Sequence, residues 1–337
     1  MEKAVATAQA QPNIALIKYW GKRDVSRNLP AVGSLSLTLA TLWTRMKVEF
    51  STDFDRDCLQ VDGEVAVDML PRVSRCLDQV AGSNRPRASI ESHCNFPIAA
   101  GLASSASAFA ALVVAANKAC GQASDIFDEE TIAAVASRDT LALARLAGAA
   151  SGSAARSLFG GIVELATGDD DIDVATLLAA STWPLRVVVA VTERGHKSVA
   201  SGDAMILSEK SSPFYSSWIE NQDHDLEVAR SAVNDRDFEK LATVSEHNCL
   251  KMHSVMWTSR PPIVYWNQGT LACMEAIRDL QSAGQAVFFT MDAGPQVKAI
   301  CQPDNEALVM QTLSEVDGVE TIMSSGLGAA ACILDDA

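Results

Sequence analysis

Apolar and polar side chains alternate along the first third of the chain, and apolar residues recur at helical spacing further on. The alternation predicts strands at 7–18, 31–39, 44–50 and 87–93, with Pro12 at an edge or bend of the first. Phe109, Leu112, Val113 and Ala116 lie on one helical face and predict a helix that starts at about Ser104. The chain therefore opens with a strand-rich region that leads into an apolar helix.

Strands and helices remain mixed in the rest of the chain. The patterns predict helices at 65–80, 128–148 and 304–317, and one or two long helices at 213–247 with charged residues such as Asp225 facing solvent. They predict further strands at 162–165, 186–191, 286–292, 297–301 and 328–334. This order indicates an α+β fold rather than regular βαβ winding. We place a domain boundary near residue 185, which gives domains 1–185 and 186–337.

Composition narrows the class of protein. The chain has 337 residues, of which 48% are hydrophobic, and a net charge of −15, which argues against a general nucleic-acid or anionic-membrane surface. No apolar run is long enough to span a bilayer, and residues 1–12 lack the features of a signal peptide. The eight cysteines and five histidines are scattered, which predicts reduced thiols, a cytoplasmic location and no zinc site.

Residues 95–110 carry a Pro-containing turn, small residues and two adjacent hydroxyls before the apolar helix. Ser104 or Ser105 can cap that helix, whose N–H groups and positive dipole end attract phosphate. Gly101 and its small neighbours let an anion approach the backbone. The segment lacks the ending of a Walker A motif, and the alternative is a helix start that serves only packing.

Three further segments carry candidate chemistry. Residues 13–24 place three cations and two aromatic rings at the end of a strand, residues 151–161 combine two serines with an arginine, and residues 291–295 place a carboxylate at a Gly-Pro turn. The alternatives are a basic surface turn, a capping turn and an aspartate that only organises its turn. Together with the phosphate segment, the three favour phosphoryl transfer to a small anionic acceptor.

These four segments resemble the diphosphomevalonate decarboxylase family of the GHMP kinase superfamily. The family's N-terminal signature matches 13–24, its phosphate loop matches 95–111, and its two later motifs match 151–161 and 291–295, in the same order. The resemblance implies an N-terminal domain like ribosomal protein S5 domain 2, a ferredoxin-like C-terminal domain and an active site in the cleft between them. It also implies ATP-dependent decarboxylation of 5-diphosphomevalonate to isopentenyl diphosphate, with Mg²⁺, and a homodimer as the common assembly.

The resemblance also implies roles for single residues. Asp292 would act on the tertiary hydroxyl as base or orienter, Lys18 would hold Asp292 ionised, and Arg156 would bind the substrate carboxylate. The remaining substrate contacts would come from Tyr19, Lys22, Ser151, Ser153 and Ser201. The ATP phosphates would be bound by Gly101, Leu102, Ala103, Ser104 and Ser105, with Ser105 also expected to reach Mg²⁺.

Two departures from the family pattern leave the exact substrate open, and relatives that phosphorylate without decarboxylating leave the reaction open. Gln296 stands where the family usually has Asn, and residues 193–205 match the usual pattern only loosely. Either change can alter substrate fit, for example toward a monophosphate. A mevalonate or phosphomevalonate kinase that does not decarboxylate is a second possible function, and a ligand-binding protein without catalysis is a third. The presence of Asp292, Lys18 and Arg156 favours the decarboxylase.

Overall fold

The computed structural model describes residues 4–96, 104–122, 126–195 and 199–334, and it shows an α+β architecture. Within these residues the strands are β1 Val5–Ala10, β2 Asn13–Ile17, β3 Lys22–Asp24, β4 Leu29–Pro30, β5 Ser34–Thr38, β6 Thr44–Ser51, β7 Cys58–Val61, β8 Glu64–Val65, β9 Arg87–Cys94, β10 Ile162–Thr167, β11 Ile172–Leu178, β12 Arg186–Val191, β13 Val287–Thr290, β14 Val297–Cys301, β15 Thr321–Gly326 and β16 Cys332–Leu334.

The helices of the described residues are α1 Leu70–Ala81, α2 Ser104–Gly121, α3 Glu129–Ala136, α4 Thr140–Ala150, α5 Ser201–Ser211, α6 Tyr215–Asp235, α7 Phe238–Trp257, α8 Gln268–Ser282 and α9 Glu306–Ser314, with short 3₁₀ helices at Gly152–Leu158 and Pro303–Asn305. In this part of the chain, no helix is both long and apolar enough to cross a bilayer.

Three main sheets organise the molecule. Their strand orders are β16-β1-β6-β9-β7-β8, β11-β10-β5-β2 and β13-β14-β12-β15, and β3 and β4 form a separate hairpin. The first sheet packs against the apolar helix α2, while the third packs against α7, α8 and α9. Helices α6 and α7 also contact β2 of the second sheet, so the two halves of the chain share one core at that strand.

The predicted strand at 7–18 is two strands that lie in different sheets. Proline has no N–H to donate, so a continuous ladder through Pro12 is not possible. The chain changes sheets at Gln11-Pro12, and the Pro12 carbonyl accepts the Leu39 N–H at 3.0 Å. This change of sheet carries β2 towards the C-terminal half of the chain.

The prediction of one helix over 128–148 was wrong, because these residues form two separate helices, α3 and α4. Each starts with its own aspartate cap: Asp128 accepts the Thr131 N–H at 2.7 Å, and Asp139 accepts the Ala142 N–H at 2.8 Å. Gly148 does not end α4, which continues to Ala150. A Cβ at Gly148 would lie 3.2 Å from Ile172, so this glycine serves close packing instead.

The predicted solvent exposure of Asp225 was also wrong. Its side chain is buried on α6, where it pairs with Lys251 and accepts a hydrogen bond from Asn248 at 2.7 Å. The acidic turn at 169–171 makes specific contacts as well. The carbonyls of Asp170 and Asp171 accept hydrogen bonds from Arg27 and Arg23, which attach the β3–β4 hairpin to this turn.

Candidate active site

A cavity of about 310 Å³ lies between the end of β2, the 3₁₀ helix Gly152–Leu158, the start of α5 and the turn after β13. Four cationic side chains line it: Lys18, Lys22, Arg72 and Arg156. Asp292 is the one acidic residue among its described lining residues. In a chain whose net charge is −15, this local excess of positive charge is typical of an anion-binding site.

Lys18 follows β2, and its side chain forms part of the cavity wall. Its side chain is 1% exposed, and its Nζ lies 2.8 Å from Asp292 Oδ1 and 2.8 Å from the Ala15 carbonyl oxygen. A buried ammonium group needs such partners because it has lost its hydration. The ion pair joins the residue after β2 of the second sheet to the turn after β13 of the third.

Asp292 lies in a tight turn after the fully buried strand β13, where Gly294 N–H donates to the Asp292 carbonyl at 2.7 Å. A second buried cation reaches its side chain, since Lys298 Nζ lies 3.3 Å from Asp292 Oδ2. Burial alone would raise the pKa of the Asp292 carboxyl. Lys18 and Lys298 outweigh burial and hold that pKa far below its usual range, so the group is ionised at neutral pH.

Arg156 projects from the 3₁₀ helix and is 2% exposed. Its Nη1 donates to Ser34 Oγ at 2.6 Å and its Nε donates to Asn13 Oδ1 at 3.2 Å. Burial lowers its pKa to about 10, so the guanidinium stays charged at neutral pH. Within the described part of the chain, no carboxylate lies within ion-pair distance of Arg156, so its charge is available to a bound anion.

The cavity is also lined by Tyr19, Lys22 and the start of α5. The Tyr19 hydroxyl is buried, has no hydrogen-bond partner among the described residues, and has a pKa raised to about 12 by burial. Burial and the neighbouring Arg72 lower the pKa of Lys22. Gly152 is required here, because a Cβ would collide with the Tyr19 ring. These groups form a polar lining that is suited to an anion.

A second cavity, of about 230 Å³, lies beside the first and is mainly apolar. Met46, Leu59 and Phe109 are among its lining residues. The two cavities share Arg72 and Ser105 as lining residues. Arg72 reaches this position from α1, where it donates two hydrogen bonds to the Ala150 carbonyl, at 3.0 and 2.7 Å, and lies 4.5 Å over the Phe109 ring.

The structure brings most of the predicted site residues together. The first cavity is lined by Lys18, Tyr19, Lys22, Ser105, Ser151, Ser153, Arg156, Ser201 and Asp292. Ser104 lines the second cavity. Gly101, Leu102 and Ala103 lie outside the described residues.

Sequence reasoning missed two cations, Arg72 and Lys298. Arg72 lies on the polar face of an amphipathic helix, where nothing in the pattern separates it from the solvent-facing Arg75. Lys298 had a signal: it is a single charge inside the apolar run Val-Lys-Ala-Ile-Cys of β14, which is buried along its whole length.

The first departure from the family pattern, Gln296, does not line either of the two cavities. It is buried, its Oε1 accepts the Thr192 N–H at 2.7 Å, and its Nε2 donates to the Glu193 carbonyl at 2.6 Å. Gln296 therefore fixes the end of β12. In the second departure, residues 196–198 lie outside the described residues, whereas Ala200, Ser201 and Gly202 line the first cavity.

Comparisons with known proteins agree along almost the whole chain. A family model described as the diphosphomevalonate decarboxylase-like N-terminal domain matches residues 10–176. A second, the mevalonate 5-diphosphate decarboxylase C-terminal domain, matches residues 187–329. Diphosphomevalonate decarboxylase of Candida albicans is 33% identical over 91% of this chain and 87% of its own length.

Solved structures of the same family superpose closely. Mevalonate diphosphate decarboxylase from Staphylococcus aureus gives a TM-score of 0.89 at 34% identity and covers 99% of each chain. A complex of MDDEF with MVAPP, AMPPCP and magnesium gives 0.87 at 32% identity and covers 98% of this chain and 99% of its own. The expected α+β GHMP kinase fold is thereby confirmed. The chain belongs to the diphosphomevalonate decarboxylase family.

Proposed function

We propose that this protein catalyses the ATP-dependent decarboxylation of (R)-5-diphosphomevalonate to isopentenyl diphosphate, with release of ADP, phosphate and CO₂. The observation that carries the proposal is one carboxylate, Asp292, paired with Lys18 in a cavity whose other charged lining groups are cations. Family membership supports it, and so does the relative that binds MVAPP, AMPPCP and magnesium.

The first cavity suits an acceptor that is anionic at both ends. Arg156 offers a buried, charged guanidinium, which matches a carboxylate through a two-pronged contact. Tyr19 and Lys22 offer a hydroxyl and an ammonium group for a diphosphate. Ser151, Ser153 and Ser201 also line the cavity and offer further hydroxyl donors. Asp292 lines the same cavity, so the hydroxyl-bearing carbon of the acceptor would lie beside it.

The second cavity suits the base of ATP, because a flat aromatic ring gains from apolar walls such as Leu59 and Phe109. The triphosphate would then pass Ser104 and Ser105 at the start of α2 and reach the first cavity beside Arg72. The Ser105 hydroxyl is a hard oxygen donor of the type that Mg²⁺ accepts beside phosphate oxygens. When bound there, Mg²⁺ neutralises phosphate charge.

In the first step the tertiary hydroxyl of the acceptor attacks the γ-phosphorus of ATP, and ADP leaves. A tertiary alcohol is hindered and weakly acidic, so positioning and charge stabilisation must supply most of the acceleration. Asp292 would accept the hydroxyl proton or orient it, and Lys18 fixes one carboxylate oxygen. Arg72 would offset negative charge on the transferring group.

In the second step the new phosphate leaves with the electrons of its C–O bond. The adjacent bond to the carboxylate breaks, its electrons form the new C=C bond, and CO₂ departs. Where Asp292 has taken the hydroxyl proton, it passes that proton to the transferred phosphate before this step. The ionised carboxylate then stabilises positive character at the tertiary carbon. The leaving phosphate takes the electrons, so no further electron sink is needed.

Product analysis tests the proposal directly. The pure protein is incubated with ATP, Mg²⁺ and (R)-5-diphosphomevalonate, and ADP and CO₂ are measured together. Equal release of both supports the decarboxylase. ADP without CO₂ would contradict it in favour of a kinase. Release of neither would contradict it for this substrate, and the assay would be repeated with mevalonate and its monophosphates.

We also propose that the protein is cytoplasmic and forms a homodimer, and that each chain has two domains, 1–185 and 186–337. The N-terminal family model ends at residue 176 and the C-terminal one begins at residue 187, which supports a boundary near residue 185. The last strand, β16, pairs with β1, so the C-terminal end returns to the first sheet. Light scattering coupled to gel filtration would test the assembly, and a monomer at micromolar concentration would contradict it.

A further inference from the structure

Lys298 is a fully buried lysine that lies behind the candidate active site. It belongs to β14, which pairs with β12 on one side and β13 on the other, and its exposed fraction is 0%. Removing an ammonium group from water is unfavourable unless a partner compensates it. A methionine or leucine would fill this position without that penalty, so the charge needs an explanation.

The charged partner of Lys298 is Asp292, whose Oδ2 lies 3.3 Å from Lys298 Nζ, while Lys18 Nζ lies 2.8 Å from Oδ1. Each carboxylate oxygen therefore faces a different lysine. Lys18 alone would already neutralise Asp292, so Lys298 leaves this group of three with one excess positive charge. Lys298 is not among the residues that line the cavity, whereas Lys18 and Asp292 are.

We propose that Lys298 is a positioning residue for the reaction of the first cavity: together with Lys18 it clamps both oxygens of Asp292, so that the carboxylate keeps one orientation and is ionised when the acceptor binds. A carboxylate held at one oxygen can still rotate about its Cβ–Cγ bond, whereas one held at both cannot. The inference rests on the proposed function, because it assigns Lys298 a part in that reaction.

The surroundings of Asp292 support this role. Besides the two lysines, Arg156 from the 3₁₀ helix and Cys249 and His253 from α7 face this region. Burial raises the pKa of the Cys249 thiol, and burial with Lys18 lowers the pKa of His253 to about 3, so both are neutral at pH 7. The lysines and Arg156 are therefore the charges that set the state of Asp292 from these elements.

The test compares Lys298→Met with the wild type and with Lys47→Met, a matched control that removes the same charge from a surface pair with Glu91. We expect kcat of Lys298→Met to fall about 100-fold with little change in KM, because misplacing a reacting group has effects of that size. Its Tm should stay equal to or above that of the wild type, because Lys18 and Asp292 still neutralise each other. Lys47→Met should retain full activity.

The pH profile separates positioning from a merely structural role. Removing Lys298 takes one positive charge away from Asp292, so the pKa of that carboxyl rises and the acid limb of kcat/KM moves to higher pH. Lys298→Gln keeps a polar N–H donor at this position without the charge. It should therefore recover part of kcat, and it also serves as the second variant if Lys298→Met does not fold.

Three results would overturn the inference. They are an unchanged kcat in Lys298→Met, a loss of activity that only follows a fall in Tm, and a Lys298→Met effect that persists in the Asp292→Asn background. The Asp292→Asn variant has no carboxylate for the two lysines to hold, so adding Lys298→Met should lower kcat no further. If the wild type itself releases no ADP or CO₂, the proposed function has failed, which is distinct from failure of the clamp.

Discussion

The side-chain carbonyl of Asn248 accepts the backbone N–H of Lys18 at 2.8 Å, although the two residues are 230 positions apart. Gln222 completes the contact by donating its Nε2 to the Lys18 carbonyl at 2.7 Å. Asn248 in turn donates to Gln222 Oε1 at 2.9 Å and to Asp225 Oδ2 at 2.7 Å. Helices α6 and α7 thus hold both backbone polar groups of Lys18, while Asp292 holds its side chain.

Replacing Asn248 by Leu should disturb both stability and catalysis. The change leaves the buried Lys18 N–H and Gln222 Oε1 without this partner, and each loss costs about 1–3 kcal/mol. We expect urea unfolding to show a destabilisation of about 2–4 kcal/mol, together with a clear fall in kcat. Asn221→Leu is the control, since Asn221 is exposed on α6 and bonds within its own helix. Equal effects of both substitutions would contradict the role of the network.

Asp292→Asn should abolish turnover while the fold persists. The amide cannot accept a proton as a carboxylate does, and it carries no charge to stabilise positive character at the reacting carbon. We expect kcat to fall by about 1,000-fold or more. Coupled measurement of ADP and CO₂ gives the rate, and circular dichroism with gel filtration checks the fold. Activity within tenfold of the wild type would exclude the role assigned to Asp292.

Most of the candidate site could be predicted because its residues lie in short local motifs. Lys18, Arg156 and Asp292 belong to three segments whose composition already indicated anion binding, and the cavity assembles them. The strands at 44–51 and 87–94 followed from alternation alone. In these regions local pattern and final structure agree, as is expected where one face of a strand is buried.

Other features depend on contacts that no local pattern contains. Asp225 has the sequence environment of a solvent-facing helix residue, yet Asn248 and Lys251 bury it. The contact between Lys298 and Asp292 could not be predicted, because only the folded sheet brings the two residues together. The missed helix α8 is amphipathic and begins at a capping box formed by Asn267 and Thr270, a local signal that was available.

Arg72 should contribute both to ATP binding and to transfer of the γ-phosphoryl group, because it lines both cavities. In Arg72→Met we expect kcat/KM for ATP to fall about 10- to 100-fold, as for the loss of a charged contact to a phosphate. Arg72→Lys should recover little, because a lysine cannot reproduce the forked contact to the Ala150 carbonyl and the stacking on Phe109.

The control for Arg72 is Arg75→Met, an exposed arginine one turn along the same helix that lines neither of these cavities. Initial rates at varied ATP and at varied acceptor separate the two substrates. An Arg72→Met variant that matches Arg75→Met in both titrations would remove Arg72 from the site.

The buried ion pair between Asp57 and Arg85 should make the stability of the fold depend on pH in the acidic range. Asp57 accepts hydrogen bonds from Arg85 Nη1 at 2.9 Å, Arg85 Nη2 at 2.6 Å and the Ala88 N–H at 2.9 Å. Burial opposes ionisation, but these partners prevail and lower the pKa of Asp57 to about 2. Because the folded pKa lies below the unfolded value of about 3.9, this stabilisation is present above that pH and is lost as the pH falls toward 2.

Asp57→Asn should therefore lower the free energy of unfolding by about 3 kcal/mol at pH 7, since it leaves the buried Arg85 with only its second partner, the half-exposed Asp78. The difference from the wild type should shrink between pH 5 and pH 3, because the unfolded wild type takes up a proton on Asp57 below its pKa of about 3.9 while the folded carboxyl stays ionised down to about pH 2. Asp55→Asn, at an exposed aspartate nearby, is the control and should change stability by less than about 0.5 kcal/mol. Urea titrations at pH 7, 5, 4 and 3.5 measure the difference, and a gap that stays constant with pH would show that Asp57 is not the titrating group.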